Sequence, residues 1–600
     1  MVETSKRQKI GMILMASLVV FSLYVVMVTV KYPIFLENRV DDSLPLIHAV
    51  TPDLNFITLA LALLCLACIY YRLDNRYLHL ILLTQLSIML WLTPSLFAGF
   101  APNPDTYHLG VSSKIMDVLQ GDYNKFSEYG KDYPLSFLVN YYIMDLFNLD
   151  IPAYGRVLFP AIWTISFVLL VYLLIASILD NRVAFLSTLL TLTGLHFVES
   201  HPSPHAFGLL MVLLSLVLIY KGGVKSRILA IIVILLCVVS HPESPLLLIT
   251  FLIGGFVISL VSRNKTNIFP LSLGGVLMIY VAWISWALLH ASSFMRGSII
   301  RGLYKAITLE FISSLNEASA SAGNIYSDFS TLRISLIMSY GLMTFLIFLN
   351  RFEIGGDLNL KRIIKTNIRN FGEKRMLFLL LIFFFTVVMY AFGVLCTMII
   401  RQRALIYLVI SASTFISAGI VYDVLSPSGK GHIKKCLGVT ALLWIALLAF
   451  MYPTASYYYA SFGLVPTSEF KGMKFLADGM DMGGRNILIY RPSCLTTVFD
   501  VGIRYEDLWA LEDKEEVDEN FLKMTEDWSD VISLQKTGYY EFATSRDMSF
   551  DDNVMTRLSG FVDNSNAFNK IYSNPTTVTY LNRNERERFE LWRTWNLTGT

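Results

Sequence analysis

Ala101-Pro-Asn-Pro-Asp-Thr-Tyr-His-Leu-Gly110 follows a long apolar run and sets an aspartate and a histidine at its polar end. Pro102 and Pro104 stiffen the backbone ahead of Asp105, because each ring locks its own φ. Further along, Tyr133-Pro-Leu-Ser-Phe137 opens another apolar run. A polar loop with an acidic side chain, closed on both sides by apolar helices, is the mark of a chain that leaves a bilayer and returns to it. The rest of the sequence repeats that alternation.

Of 600 residues, 54% are hydrophobic and 16% charged, whereas about a quarter of an ordinary soluble domain is charged. Apolar runs long enough to cross a bilayer recur from residue 11 onward. The fold class is therefore a polytopic α-helical membrane protein with about 13 transmembrane helices. The candidate spans are 11–30, 53–71, 77–98, 156–178, 183–198, 206–221, 226–240, 246–262, 268–290, 334–349, 376–398, 404–422 and 436–452. The basic start, with Lys6, Arg7 and Lys9, places the amino end in the cytoplasm as the lead-in to a retained first span.

An odd number of crossings puts the carboxyl tail outside. Lysine and arginine follow the same plan. Arg72 and Arg76, Arg182, Lys221, Lys225 and Arg227, Arg263 and Lys265, the basic run 361–375, and Lys430, Lys434 and Lys435 all fall in inner loops. The outer segments are poorer in them. Residues 1–452 form the transmembrane domain, with large outer loops at 99–155 and 291–333. Residues 453–600 form a small extracytoplasmic α+β domain with a strand-like Asn486-Ile-Leu-Ile-Tyr490 and a charged, helix-like Asn582–Arg593. Lysine-rich inner loops, and a polar tail whose one cysteine is Cys494, suit a prokaryotic plasma membrane. Cys65 and Cys68 have CxxC spacing but sit among Leu and Ala, as small buried helix residues do. A net charge of +2 without a basic stripe excludes nucleic acid as a partner.

Within 99–155, Val111, Ile115, Val118 and Leu119 share a helical face, so a helix lying along the membrane surface is expected there. Tyr133–Leu149 follows as a half-buried helix entering from the outer leaflet. The ionisable residues gather at the outer edges. Asp105 is either a helix N-cap or a general base. His108, three residues on, shares its helical face. Glu199-Ser-His-Pro-Ser-Pro-His205 packs a glutamate and two histidines into a short outer loop, fit either for a tight capped turn or for binding a phosphate or a metal. His241-Pro-Glu-Ser-Pro245 repeats that composition and reads as a structural turn. Arg401 and Arg403 either snorkel to headgroups or hold a lipid phosphate. Arg296, Arg301 and Lys305 lie in the long loop 291–333, which is of the size of a lid. Asp41 and Asp42 are a rival pair of carboxylates.

Taken in order, these features resemble the GT-C superfamily of membrane glycosyltransferases. The resemblance runs through 77–262: Pro104-Asp-Thr-Tyr-His-Leu-Gly110, Tyr133-Pro-Leu, Tyr154-Gly-Arg156, the Glu199–His205 loop and Ser240-His-Pro-Glu243. It is similar in plan to the protein O-mannosyltransferase, aminoarabinose-transferase and oligosaccharyltransferase branches. The resemblance implies an inverting transfer of a sugar from a polyprenyl-phosphate donor, dolichol phosphate or a relative, to an acceptor hydroxyl on a glycan, lipid or protein at the outer face. Asp105 is then the base. His108, His201, His205, Arg401 and Arg403 bind the donor phosphate, and Arg296, Arg301 and Lys305 belong to a closing lid. A divalent cation, Mg or Mn, would sit at Asp105 and Glu199. Two rivals are an oligosaccharide ligase or polymerase using a diphosphate-linked glycan, and a lipid or solute transporter without chemistry.

Overall fold

The computed structural model describes residues 2–37, 45–98, 103–113, 115–120, 128–195, 202–261, 273–291, 335, 338–347, 398–424 and 432–463, and four short strands between 487 and 582. The helices are α1 (Val2–Glu37), α2 (Pro45–Tyr70), α3 (Arg76–Ser87), α4 (Thr93–Ala98), α5 (Asn103–Ser113), α6 (Ile115–Gln120), α7 (Glu128–Asp132), α8 (Leu135–Leu146), α9 (Ile151–Ala153), α10 (Phe159–Ile178) and α11 (Asn181–Gly194). They continue with α12 (Pro204–Lys221), α13 (Val224–Val238), α14 (Glu243–Val261) and α15 (Leu273–Leu289). The last are α16 (Met338–Ile347), α17 (Met398–Gly419) and α18 (His432–Gly463). A π-helical turn, Ile88–Leu92, joins α3 to α4, and another, Tyr154–Leu158, joins α9 to α10.

Six helices among the described residues are long and apolar enough to cross a membrane: Ser5–Lys31, Thr51–Tyr70, Arg76–Leu96, Tyr154–Ile178, Pro204–Lys221 and Cys436–Pro453. Each falls on an expected span. Shorter apolar helices cover Glu243–Phe256, Gly274–Leu289, Met338–Ile347 and Ile406–Tyr422. The expected span 376–398 lies outside the described residues but for Met398, so the full count of crossings stays an expectation.

Packing follows from which faces are apolar and which are small. On α13, Ile228, Leu229, Ile231, Ile232 and Leu235 are exposed while Ala230, Val233, Ile234 and Cys237 are buried. A broad leucine and isoleucine face open to the surroundings suits acyl chains rather than water. α11 is the opposite case. Every residue from Val183 to Leu195 is buried, and neighbours cover all its faces. Two of its threonines bond back to their own helix, Thr188 Oγ1 to the Ala184 carbonyl at 2.8 Å and Thr193 Oγ1 to that of Leu189 at 3.1 Å. Two tyrosines close its C-terminal half. Tyr340 of α16 donates to the Leu190 carbonyl at 2.6 Å, and Tyr452 of α18 to the Leu195 carbonyl at 2.9 Å. The segment that leaves α11 toward His205 therefore departs from a fixed point.

At the end carrying Arg72, Arg76 and Arg182, the helix starts are capped by side chains. Asn75 accepts from the Leu78 amide at 3.1 Å, and Asp180 from those of Arg182 and Val183, both at 3.0 Å. Asn181 reaches across to Asp74 at 3.0 Å. Gly222 and Gly223, with φ of 70° and 81°, turn the chain from α12 into α13, a conformation that a Cβ would oppose.

In the polar tail, β1 (Ile487–Ile489) realises the expected strand. With β2 (Val531–Gln535), β3 (Phe568–Asn574) and β4 (Thr577–Asn582) it forms one sheet in the order β1-β2-β4-β3, parallel between β1 and β2 and otherwise antiparallel. Asn582 ends β4, and the helix-like stretch after it lies outside the described residues.

Candidate active site

Helix α5 begins at Asn103, so Asp105 stands within its first turn and not before it. That corrects the N-cap alternative. A carboxylate in a first turn is favoured by the positive end of the helix dipole. The amphipathic surface helix expected through 111–119 is also corrected. α5 and α6 are separate helices, with Val111 and Ile115 buried beside Phe137 of α8 and Leu119 exposed. The half-buried helix expected at Tyr133–Leu149 is α8, shortened to Leu135–Leu146.

α5 is fastened to α8 by apolar and polar contacts. The His108 ring packs on Phe137 at 5.8 Å between centroids. Asn140 Nδ2 donates to Ser112 Oγ at 3.4 Å, and its Oδ1 accepts from the Tyr154 hydroxyl at 2.6 Å. Arg156, in the same π-helical turn as Tyr154, donates to the Leu96 carbonyl at 2.8 Å. The elements that flank the segment 99–155, α4 before it and α10 after it, are thus tied together.

From α8 the contacts pass to a second group of side chains. The Leu135 amide donates to the Val239 carbonyl at 3.4 Å, and Trp286 Nε1 to that of Asp132 at 3.0 Å. Trp283 Nε1 donates to the Pro242 carbonyl at 2.9 Å. Two tryptophans near one end of α15 suit a membrane–water boundary. Tyr133 sits between these elements. Burial, followed by the carboxylates of Asp132 and Glu243, pushes its hydroxyl above the usual tyrosine range. It remains a neutral hydroxyl at physiological pH, a hydrogen-bond donor rather than a base.

His205 and His241 meet here. Ser203 caps α12 by accepting from the Ala206 amide at 3.1 Å, with Pro204 at the first helical position. His205, in that first turn, is 2% exposed and lies edge-to-face with His241 at 5.1 Å between centroids. His241 Nδ1 accepts from the Glu243 amide at 3.3 Å and from Ser244 Oγ at 3.2 Å. A backbone donor on Nδ1 fixes the neutral tautomer with its proton on Nε2. Gly208 allows the approach, since a Cβ there would collide with Ser244 Oγ. The expected turn at His241 is present. His241 is that turn's cap and also the neighbour of His205.

The structure thus joins α5, His108 and His205 through α8 and the 239–243 turn. Glu199 and His201 lie outside the described residues, as do Asp41, Asp42, Arg296, Arg301, Lys305 and the loop 291–333 apart from Ala291. Asp105, Arg401 and Arg403 are placed by their helices only, the arginines in the first two turns of α17. Among the described residues no group of three or more His, Cys, Asp or Glu could hold a metal ion. Of the two carboxylates expected at a cation, Asp105 is placed by its backbone alone and Glu199 is not described. Asn140 escaped the sequence analysis, although an amide within the apolar run Phe137-Leu-Val-Asn-Tyr was a signal in plain view.

No protein-family model matches the chain, and a search of curated proteins finds no relative. Solved structures do resemble it. ArnT from Cupriavidus metallidurans bound to undecaprenyl phosphate is 11% identical, with a TM-score of 0.47 over 83% of this chain and 97% of that one. The oligosaccharyltransferase of Archaeoglobus fulgidus tethered with an acceptor peptide is 12% identical, with a TM-score of 0.46 over 86% of this chain and 74% of that one.

Proposed function

We propose that the protein is an inverting membrane glycosyltransferase that moves a sugar from a polyprenyl-phosphate donor to an acceptor hydroxyl at the outer membrane face. The donor's leaving group is a phosphate, already stable as an anion, so no general acid is required. The acceptor hydroxyl is a poor nucleophile and needs a base. Asp105 takes its proton as the oxygen attacks the anomeric carbon and the bond to the phosphate breaks. His205 and His108, with Arg401 or Arg403, hold the departing phosphate. The loop 291–333, with Arg296, Arg301 and Lys305, closes over the substrates and excludes water. Glu199 and His201 complete the donor side.

One observation carries this reading. The helix bearing Asp105 in its first turn is packed on α8, and α8 meets the turn whose His241 touches His205. A transporter would instead use ionisable groups inside its spans. His79 is such a group, but its Nε2 donates to the Leu73 carbonyl at 2.9 Å, its Nδ1 accepts from Tyr172 at 3.3 Å, and its ring stacks on Phe185. These contacts are structural.

The test is transfer by purified protein from polyprenyl-phosphate hexoses radiolabelled in the sugar. With a cell-envelope extract supplied as the source of acceptor, the wild type should move the label off the donor lipid and Asp105→Asn should not, while still expressing and binding the lipid. Wild-type release by Asp105→Asn would remove Asp105 as the base. Absence of release by the wild type across mannosyl, glucosyl and galactosyl donors would count against transfer of a simple hexose.

A further inference from the structure

We propose that Asn140 is a positioning residue for Asp105, setting the register of α5 through a buried hydrogen-bond chain; this rests on the reading of Asp105 as the base. Asn140 lies in the middle of α8 and is 3% exposed. A buried side-chain amide is costly unless both its ends are bonded. Both are, and the bonds run one way. The Tyr154 hydroxyl donates to Asn140 Oδ1, Asn140 Nδ2 donates to Ser112 Oγ, and Ser112 Oγ donates to the His108 carbonyl at 2.7 Å. Only one orientation of the amide allows this. The chain starts in the π-helical turn that opens a span, crosses the half-buried helix, and ends on α5 one turn beyond Asp105.

The apolar contact beside it cannot do the same work. Val111, Ile115 and Phe137 form a small cluster separate from the main core. Such a cluster holds two helices at a set distance, but apolar packing is non-directional and leaves sliding and rotation weakly opposed. Directional bonds from Tyr154 to His108 supply the missing constraint. Misplacement of a catalytic group by about 1 Å can cost about a hundredfold in rate, so the chain bears on turnover more than on affinity.

Three variants cut the chain at different links: Tyr154→Phe, Asn140→Leu and Ser112→Ala. Radiolabel release, donor KM and thermal unfolding are measured for each in detergent. The expected result is a kcat lowered about 10- to 100-fold for Asn140→Leu, with any rise in donor KM, through His108 on the same helix, smaller than the loss in kcat. Tyr154→Phe and Ser112→Ala together should cost less than the product of their separate effects, because they break one unit. In an Asp105→Asn background, Asn140→Leu should change the residual rate by less than about twofold. A purely packing role would lower the unfolding temperature and leave kcat of the folded protein intact. Should Asn140→Leu fail to fold, Tyr154→Phe decides, since it removes one oxygen. Full kcat in folded Tyr154→Phe and Asn140→Leu, with Asp105→Asn inactive, overturns this inference alone. Full turnover in Asp105→Asn overturns the reading beneath it as well.

Discussion

His241 shows what a single side chain can join. Its Nδ1 takes two donors at the start of α14, and its ring edge meets His205 at the start of α12. His241→Ala should therefore lose about 1–2 kcal/mol of stability as a lost cap and buried bond, and should raise donor KM by loosening His205. His241→Asn, whose amide oxygen can still accept from the first turn, should keep most of the stability and still show the raised KM. Thermal unfolding and donor titration of both variants check this; identical melting of wild type and His241→Ala would refute the cap. The sequence offered His241 only as a local turn, and locally that is correct. Its second role depends on a partner 36 residues away, and no spacing rule links two helix starts that tertiary packing brings together. Asn140 is the same problem twice over, with partners 14 and 28 residues distant. What could be seen was its cost, a polar amide in an apolar run, which demands partners without saying which.

Among elements, the helices were legible because a bilayer imposes a length and a composition on each of them. The run at 156–178 became a span beginning at Tyr154, and that at 206–221 one beginning at Pro204, where Ser203 caps the helix and proline opens it. The segment 99–155 was less legible. Its residues answer to neither water nor lipid alone, and one expected amphipathic helix proved to be two. Element contacts also separate stability from function. Gly208→Val should push α12 away from α14, costing about 1–3 kcal/mol as overpacking, and should raise donor KM. Gly222→Ala, at the other end of α12, should also destabilise, by about 1 kcal/mol or more for a Cβ at positive φ, but should leave donor KM unchanged. Melting temperatures and KM for the pair distinguish the ends of one helix; a raised KM in Gly222→Ala would contradict the assignment of the site to the His205 end.

For the whole molecule, the account requires the α5–α8–α12 face to lie outside and the Arg72, Arg76 and Arg182 end inside. His290 and Lys225 are both exposed, and lie at opposite ends by this topology. With Cys436 and Cys494 replaced by serine, a membrane-impermeant thiol reagent should label His290→Cys in intact cells and should label Lys225→Cys only after permeabilisation; the reverse pattern would invert the molecule and end the proposal. The central claim is that an isoprenoid phosphate docks beside His205 with its sugar turned toward Asp105. A structure by electron cryomicroscopy with a non-hydrolysable polyprenyl-phosphonate sugar tests it most directly. The account expects the anomeric carbon to face the Asp105 carboxylate and the phosphonate to lie against the first turn of α12. A headgroup bound elsewhere, or an Asp105 carboxylate turned away from the sugar, would contradict it.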